Sequence, residues 1–352
     1  MKTRVYITID VECAEERNVS GKMLPAQGYD VRVWGRFKNQ QKDLGIGLIM
    51  RELEAQGLRG TFYTEVFGSH HFGKPALAEA VHAMHARGHD VQLHTHPVQR
   101  VADYRTRGLP AEPDNIADYD DARQAELLKE GIDILESCGV PRGEVLSFRA
   151  GNFGANNATW DAMAKAGLVV SSNYNPCYFD KNCKMRFEGS TPGLFYTGRG
   201  VWELPISNFK DAGGGFRHVQ ITAVSLAEMK RYLLDAHASG LREVTLVTHS
   251  FELCHIDDPA ARLGRVNSIN LLRLRGLCRF LARESDLFEV DTAGALAARI
   301  KDGREHPASQ AGVDFPSGLA RDKARRMVEQ ALKRLEAKVR IPSGVFGSLA
   351  RP

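Results

Sequence analysis

The chain has 352 residues, a hydrophobic fraction of 43%, a charged fraction of 26% and a formal net charge of +4. It is long enough for one large α/β barrel or two ordinary domains, and apolar enough to exclude a mostly disordered chain. The positive balance is too mild to imply a nucleic-acid partner, and much of the excess sits near the C-terminus.

The N-terminus reads Met1-Lys2-Thr3-Arg4 and passes directly into an alternating strand. With no apolar leader and no run long enough to cross a bilayer, a cytoplasmic protein without a transmembrane segment is expected. The cysteines (Cys13, Cys138, Cys177, Cys183, Cys254 and Cys278) are scattered and form no Cys-x-x-Cys pair. They read as reduced thiols, with a Cys177–Cys183 bridge as the alternative.

In chain order, strands are predicted at 5–9, 60–64, 90–94, 145–149, 168–171, 201–206, 244–249 and 287–290. Helical periodicity lies between most of them, at 46–56, 75–87, 121–137, 158–166, 226–238 and 268–283. Gly57, Gly88, Gly139, Gly167 and Gly240 stand where these helices should stop. Such alternation predicts a parallel sheet, and seven or eight units predict a distorted parallel (β/α) barrel over residues 1–300. Three long connections, 13–43, 98–119 and 173–200, each follow a strand, so they are expected to rim the mouth of the barrel.

Residues 301–318 read as a linker and 319–352 as a basic helical tail. Its helix, at 319–339, carries Met327, Val328, Ala331, Leu332, Leu335 and Val339 on one side. That stripe is expected to pack on the barrel or on a second copy of the chain. A membrane surface is the third choice, for which Arg325, Arg326, Lys333 and Arg334 would suit anionic lipid.

Five strand ends carry chemistry-bearing residues. The first strand ends Asp10-Val11-Glu12, and alternation points both carboxylates to one side, a pattern suited to a general base and a metal ligand. A second end reads His94-Thr95-His96-Pro97, giving two imidazoles on one side, a ligand pair for zinc or a related ion. Neighbouring strands lie roughly 5 Å apart, so the two pairs could meet on one ion. Arg149 ends a third strand, where its fork can hold a carboxylate. Trp202 opens the segment Trp202-Glu203-Leu204-Pro205, and His249 ends an apolar strand where it can donate a proton. Taken singly, each has a plain structural explanation: a polar strand end, a surface arginine, a core histidine. Together they fall at strand C-termini, which share one face in a parallel barrel.

In order and spacing these segments resemble the five motifs of the polysaccharide deacetylases, the NodB-homology or carbohydrate esterase 4 group, from Met1 to about Ile300. Ile7–Glu12, His94–Pro97, Phe148–Gly154, Trp202–Ile206 and Leu246–His249 take the five places in turn. The chain departs from the usual pattern twice. Val11 separates acids that are usually adjacent, and Val98 stands where the second metal histidine usually lies, leaving His96 to substitute. The His-x-His-Pro form is similar to a branch associated with surface-polysaccharide biosynthesis. The resemblance implies metal-dependent removal of an N-acyl group, commonly acetyl, from an amino sugar or glycan precursor. It implies Asp10 as base, Arg149 as its orienting partner and His249 as acid. Glu12, His94 and His96 would hold a divalent ion, zinc by preference. Trp34, Arg36, Arg100 and Trp202 are candidates for contacting the carbohydrate. The alternatives are another carbon–nitrogen hydrolase, such as a deformylase on a lipid-linked sugar, or a sugar-binding or assembly protein without catalysis. A nucleotide-binding oxidoreductase does not fit, because no glycine fingerprint follows the first strand.

Overall fold

The segment Thr3–Val11 (β1) is buried along nearly its whole length, as a parallel strand covered on both faces must be. All eight predicted strands form: β1, then Thr61–Glu65 (β2), Asp90–Thr95 (β3), Ser147–Ala150 (β4), Val170–Ser171 (β5), Trp202–Glu203 (β6), Glu243–His249 (β7) and Phe288–Asp291 (β8). The computed structural model describes residues 1–338 except Ser20 and Ser190; the predicted tail beyond Lys338, including Val339, lies outside the described residues.

The sheet runs β7-β1-β2-β3-β4-β5-β6 with every neighbouring pair parallel, and the short strand Phe195–Tyr196 is antiparallel on the β6 edge. β8 pairs with the first half of β1, below the level at which β2 joins it. Pro205 follows β6 and cannot extend its ladder, so this strand is shorter than predicted. Irregular backbone closes the ring there. Ser207 donates its N–H to the Thr245 carbonyl, and Val219 and Ile221 exchange hydrogen bonds with Val247. The result is a distorted β/α barrel.

The helices follow from local chemistry. The α-helices longer than one turn are Ile46–Glu54 (α1), Lys74–Ala86 (α2), Asp121–Ser137 (α3), Asn157–Lys165 (α4), Leu226–Ala238 (α5), Ser268–Arg283 (α6), Ala293–Lys301 (α7) and Ala320–Lys338 (α8). Asp120 caps α3 through the Arg123 amide, while Asn156 with Thr159 and Ser225 with Glu228 form capping boxes on α4 and α5. The five predicted stop glycines all adopt positive φ. Helix α7 is not anticipated by the sequence reading. It crosses the N-terminal ends of β2 and β3, where its first amides meet Thr61 Oγ1 and Asp90 Oδ2. Ala293, Leu296 and Ala297 plug the barrel floor against Tyr6, Leu146 and Val170.

Residues 301–318 pack against the barrel. Gln310 is buried, accepting the Arg242 N–H and donating to the Gly240 carbonyl. Helix α8 docks on α5 and α6, but by the side opposite to the predicted stripe. Arg326 is held between Glu228 (2.5 Å) and Asp211 (2.9 Å), Arg231 meets Asp322, and Arg273 meets Glu329. Met327, Val328, Leu332 and Leu335 face outward. The expectation that these apolar side chains pack on the barrel is therefore corrected: ion pairs too buried to leave unmatched fix the helix, and they lie on its charged side. Arg326→Ala should lower stability by about 3 kcal/mol, read from the urea midpoint, because Glu228 and Asp211 lose a shared buried cation.

Candidate active site

Register brings the strand-end residues to one level. Asp10 stands opposite His249 across the β1–β7 pair, and His94 stands opposite Arg149 across β3–β4. One expectation is corrected here. The strands bearing Glu12 and His94 are not neighbours, because β2 lies between them. The residue that β2 places beside His94 is Glu65. This carboxylate turns instead to the backbone N–H groups of Phe67 (2.6 Å) and Gly68 (2.9 Å), and burial pushes its pKa up to about 7. With Glu65 folded aside, Glu12, one residue past the end of β1, reaches across to the histidines.

Glu12 Oε2 lies 2.8 Å from His96 Nε2 and 3.6 Å from His94 Nε2. Each residue of this trio offers one donor atom and all lie within 4.8 Å of one another, the one such group among the described residues. The histidine tautomers are set from outside. His94 Nδ1 lies 2.8 Å from the Arg149 carbonyl, which can only accept, so Nδ1 carries the hydrogen. That leaves His94 Nε2 as the nitrogen turned toward Glu12, buried and without a hydrogen-bond partner among the described residues. A ring fixed in this way by its far nitrogen is what a metal ligand requires. His96 Nδ1 is held by Asp114 Oδ1 at 2.8 Å, and Asp114 also accepts from Asn152 at 2.6 Å. Burial opposes charge on His96, but Asp114 and Glu12 outweigh it and raise its pKa well above the usual histidine value. Burial likewise opposes charge on Glu12, yet His96 and His94 hold its pKa well below the usual carboxylate value.

The second half of the site surrounds Asp10. Arg149, fully buried, donates from Nη1 to Asp10 Oδ1 at 2.6 Å and from Nη2 to Ser172 Oγ at 2.9 Å. His249 Nε2 lies 3.8 Å from Asp10 Oδ2, while its Nδ1 meets Glu252 Oε1 at 2.8 Å. Burial lowers the His249 pKa, but Glu252 more than compensates and the ring ends at about 9. The six residues expected at the centre (Asp10, Glu12, His94, His96, Arg149 and His249) are thus brought together.

Four residues that sequence reasoning gave no role also enter the site. Arg32 reaches Glu12 Oε1 at 3.4 Å, with its guanidinium over the Phe251 ring. Asp114 and Glu252 orient histidines, and Glu65 stays close beneath. Only Glu252 left a local signal, three residues after His249 in one motif. The turn after Arg149 is also shaped to the site. Asn152 and Phe153 adopt φ of 56° and 54°, which non-glycine residues rarely do, and a Cβ at Gly151 would lie 2.4 Å from the His96 ring.

The predicted carbohydrate contacts are placed elsewhere. Trp34 is buried in the core with Arg36 stacked on it, and Arg36 is paired with Glu79. Arg100 is engaged by both oxygens of Glu130. Trp202 packs against Tyr196 and the barrel-floor cluster closed by α7, because register sets it level with Val170, below the reactive layer. The long connections do converge at the strand C-termini: 13–43 supplies Arg32, 98–119 supplies Asp114, and Tyr178 of 173–200 packs on Phe153. The six cysteines are free thiols, including Cys177 and Cys183.

No protein-family model and no curated protein matches this sequence. Solved structures do. A candidate glycoside hydrolase/deacetylase from Parabacteroides distasonis aligns with a TM-score of 0.52 at 10% identity, over 86% of this chain and 71% of that one. A 4-alpha-glucanotransferase from Thermococcus litoralis aligns at 0.51 and 9% identity, over 99% of this chain and 47% of that one. A candidate polysaccharide deacetylase from Mycobacterium smegmatis aligns at 0.45 and 18% identity, over 76% and 80%. By fold, this chain is a distorted β/α barrel similar to those of the Parabacteroides distasonis and Thermococcus litoralis proteins.

Proposed function

We propose that the protein is a metal-dependent hydrolase of the polysaccharide-deacetylase type, removing an N-acyl group, acetyl by preference, from an amino sugar or glycan precursor. The observation that carries this reading is the pairing of two half-sites. A Glu12–His94–His96 donor set lies beside an Asp10–Arg149 ion pair, with a histidine opposite Asp10 whose far nitrogen is held by a carboxylate. The donors, two imidazoles and one carboxylate, suit zinc. When bound, the ion would polarise the amide carbonyl and acidify water.

The chain's own residues supply the rest. Asp10, held by Arg149, takes the proton from the attacking water. His249 is protonated at neutral pH and delivers its Nε2 proton to the amide nitrogen as the C–N bond breaks, so that an amine departs rather than an amide anion. Glu252 fixes the ring through Nδ1 and stabilises its charge. Mouth loops anchored at Arg32 and Asp114 limit access of bulk water.

The test is mass-spectrometric release of acetate or formate from N-acylated sugars, nucleotide sugars and lipid-linked sugars, with and without added zinc. Zinc-dependent release from at least one is expected. Formate in place of acetate would make the enzyme a deformylase, and no release despite stoichiometric zinc would leave a sugar-binding protein.

Gly151 gives a separate check. Gly151→Ala must displace the His96 ring, which Glu12 and Asp114 hold from both sides. Zinc affinity should fall about tenfold or more, as when a ligand's supporting contact is lost, and the zinc-free protein should lose about 1–3 kcal/mol of stability from the overpacked site while remaining folded. Equal zinc affinity in Gly151→Ala would remove the ligand role of His96.

A further inference from the structure

Helix α8 presents an unusual outer surface. Met327, Val328, Leu332 and Leu335 are 64%, 61%, 43% and 54% exposed, on one side of the helix. Contiguous apolar side chains on a soluble surface mark an interaction site more often than isolated ones do. The charges around them are segregated by sign. All three acids of the helix are turned to the barrel: Asp322 to Arg231, Glu329 to Arg273, and Glu336 to the Ser268 N–H. The exposed charges of the helix are Arg321, Arg325, Arg334 and Lys338, all basic. The sequence continues in the same character, since 339–352 adds Arg340, Arg351, Ile341, Phe346 and Leu349 and contains no acid.

We propose that this face docks on the surface of an anionic phospholipid bilayer. An apolar stripe edged by arginine and lysine matches such a surface in both respects, with acyl chains for the stripe and negative headgroups for its borders. A second copy fits less well: face-to-face pairing would set one basic border against another, with every acid of the helix already engaged. Among the described residues no helix is long and apolar enough to cross a membrane, so the mode is surface docking by α8. The last turns of α8 adjoin the segment that leaves the reactive end of β7, where Arg265 donates to the Ala337 carbonyl. Docking therefore holds that end of the barrel close to the headgroups. The inference does not depend on the hydrolase reading.

The experiment is co-sedimentation of the full-length chain with vesicles of phosphatidylcholine alone or mixed with phosphatidylglycerol. Two variants accompany it: Met327→Ser/Val328→Ser/Leu332→Ser/Leu335→Ser and Arg325→Glu/Arg334→Glu. These positions are exposed, and an unchanged urea midpoint would show that the fold is kept. Binding to the mixed vesicles only is expected, weakening with salt, and falling by more than about tenfold in each variant. Glu12→Gln should bind vesicles like the parent, which separates this result from failure of the hydrolase reading. Absence of binding to mixed vesicles, or binding unchanged in both variants, would overturn the proposal. A concentration-dependent dimer abolished by the serine variant, without vesicle binding, would assign the face to a second copy instead.

Discussion

Asp10→Asn is expected to retain zinc and to lose turnover by a factor of about 1,000, the central range for removing a general base. The asparagine keeps the shape of Asp10 and can still accept from Arg149, but the buried guanidinium loses its counter-charge, so a lower urea midpoint is expected in a still-folded protein. What it loses is the capacity to take a proton. Glu12→Gln, His94→Ala and His96→Ala should lose both turnover and metal, because each removes one donor of the trio. Metal content by inductively coupled plasma mass spectrometry, together with turnover and circular dichroism, separates the two classes. Should Asp10→Asn lose the ion while Glu12→Gln keeps it, the two carboxylates exchange roles. Full metal in all four variants would put the ion elsewhere and end this mechanism.

Glu252→Gln is expected to leave activity near pH 6 almost intact and to reduce it by roughly 30-fold at pH 8. The sign follows from which form of His249 works. The acid form donates the proton, so activity is lost as pH rises through the His249 pKa. Burial alone would depress that value, and Glu252 overcomes it to reach about 9. Glu252 is the largest of the charges offsetting burial, with Glu12 and Asp10 adding to it, so its loss lowers the pKa; a return to the ordinary histidine value of about 6.5 drops the protonated fraction at pH 8 from most of the enzyme to about three per cent. A pH–rate profile reads this directly as an acidward shift of the alkaline limb. A loss equal at every pH would mean that Glu252 only holds the loop, through its bonds to Thr248 and Gln220.

Strand–helix alternation and the strand-end positions of the candidate site residues were legible in the sequence. The two-residue spacings of Asp10 with Glu12 and of His94 with His96 are local properties of extended backbone, set by alternation alone. The stop glycines act within one helical turn, and they too appear as predicted. Helix α7 escaped notice because its sequence, Ala293–Lys301, is short and small-sided; its place is fixed by fitting beneath the barrel, where a Cβ on Gly294 would lie 2.3 Å from Asp90.

The sequence by itself determined the barrel class and set Asp10, Glu12, His94, His96, Arg149 and His249 at strand ends that meet on one face. Tertiary structure decided how those residues are served. That Asp114 holds His96 across 18 positions, and Arg32 meets Glu12 across 20, depends on how the long connections fold over the mouth. That Glu65 turns aside while Glu12 reaches over it depends on β2 lying between β1 and β3. Trp202 was misjudged for a related reason: a strand position shows which way a side chain alternates, but register with β5 sets its depth in the barrel. For α8, periodicity revealed an apolar stripe, yet buried partners for Arg326 and Asp322 chose the docking side. Alternation and capping are settled within a few residues of chain. Depth, and the choice among competing partners, are settled only when distant segments meet and their buried charges must be matched.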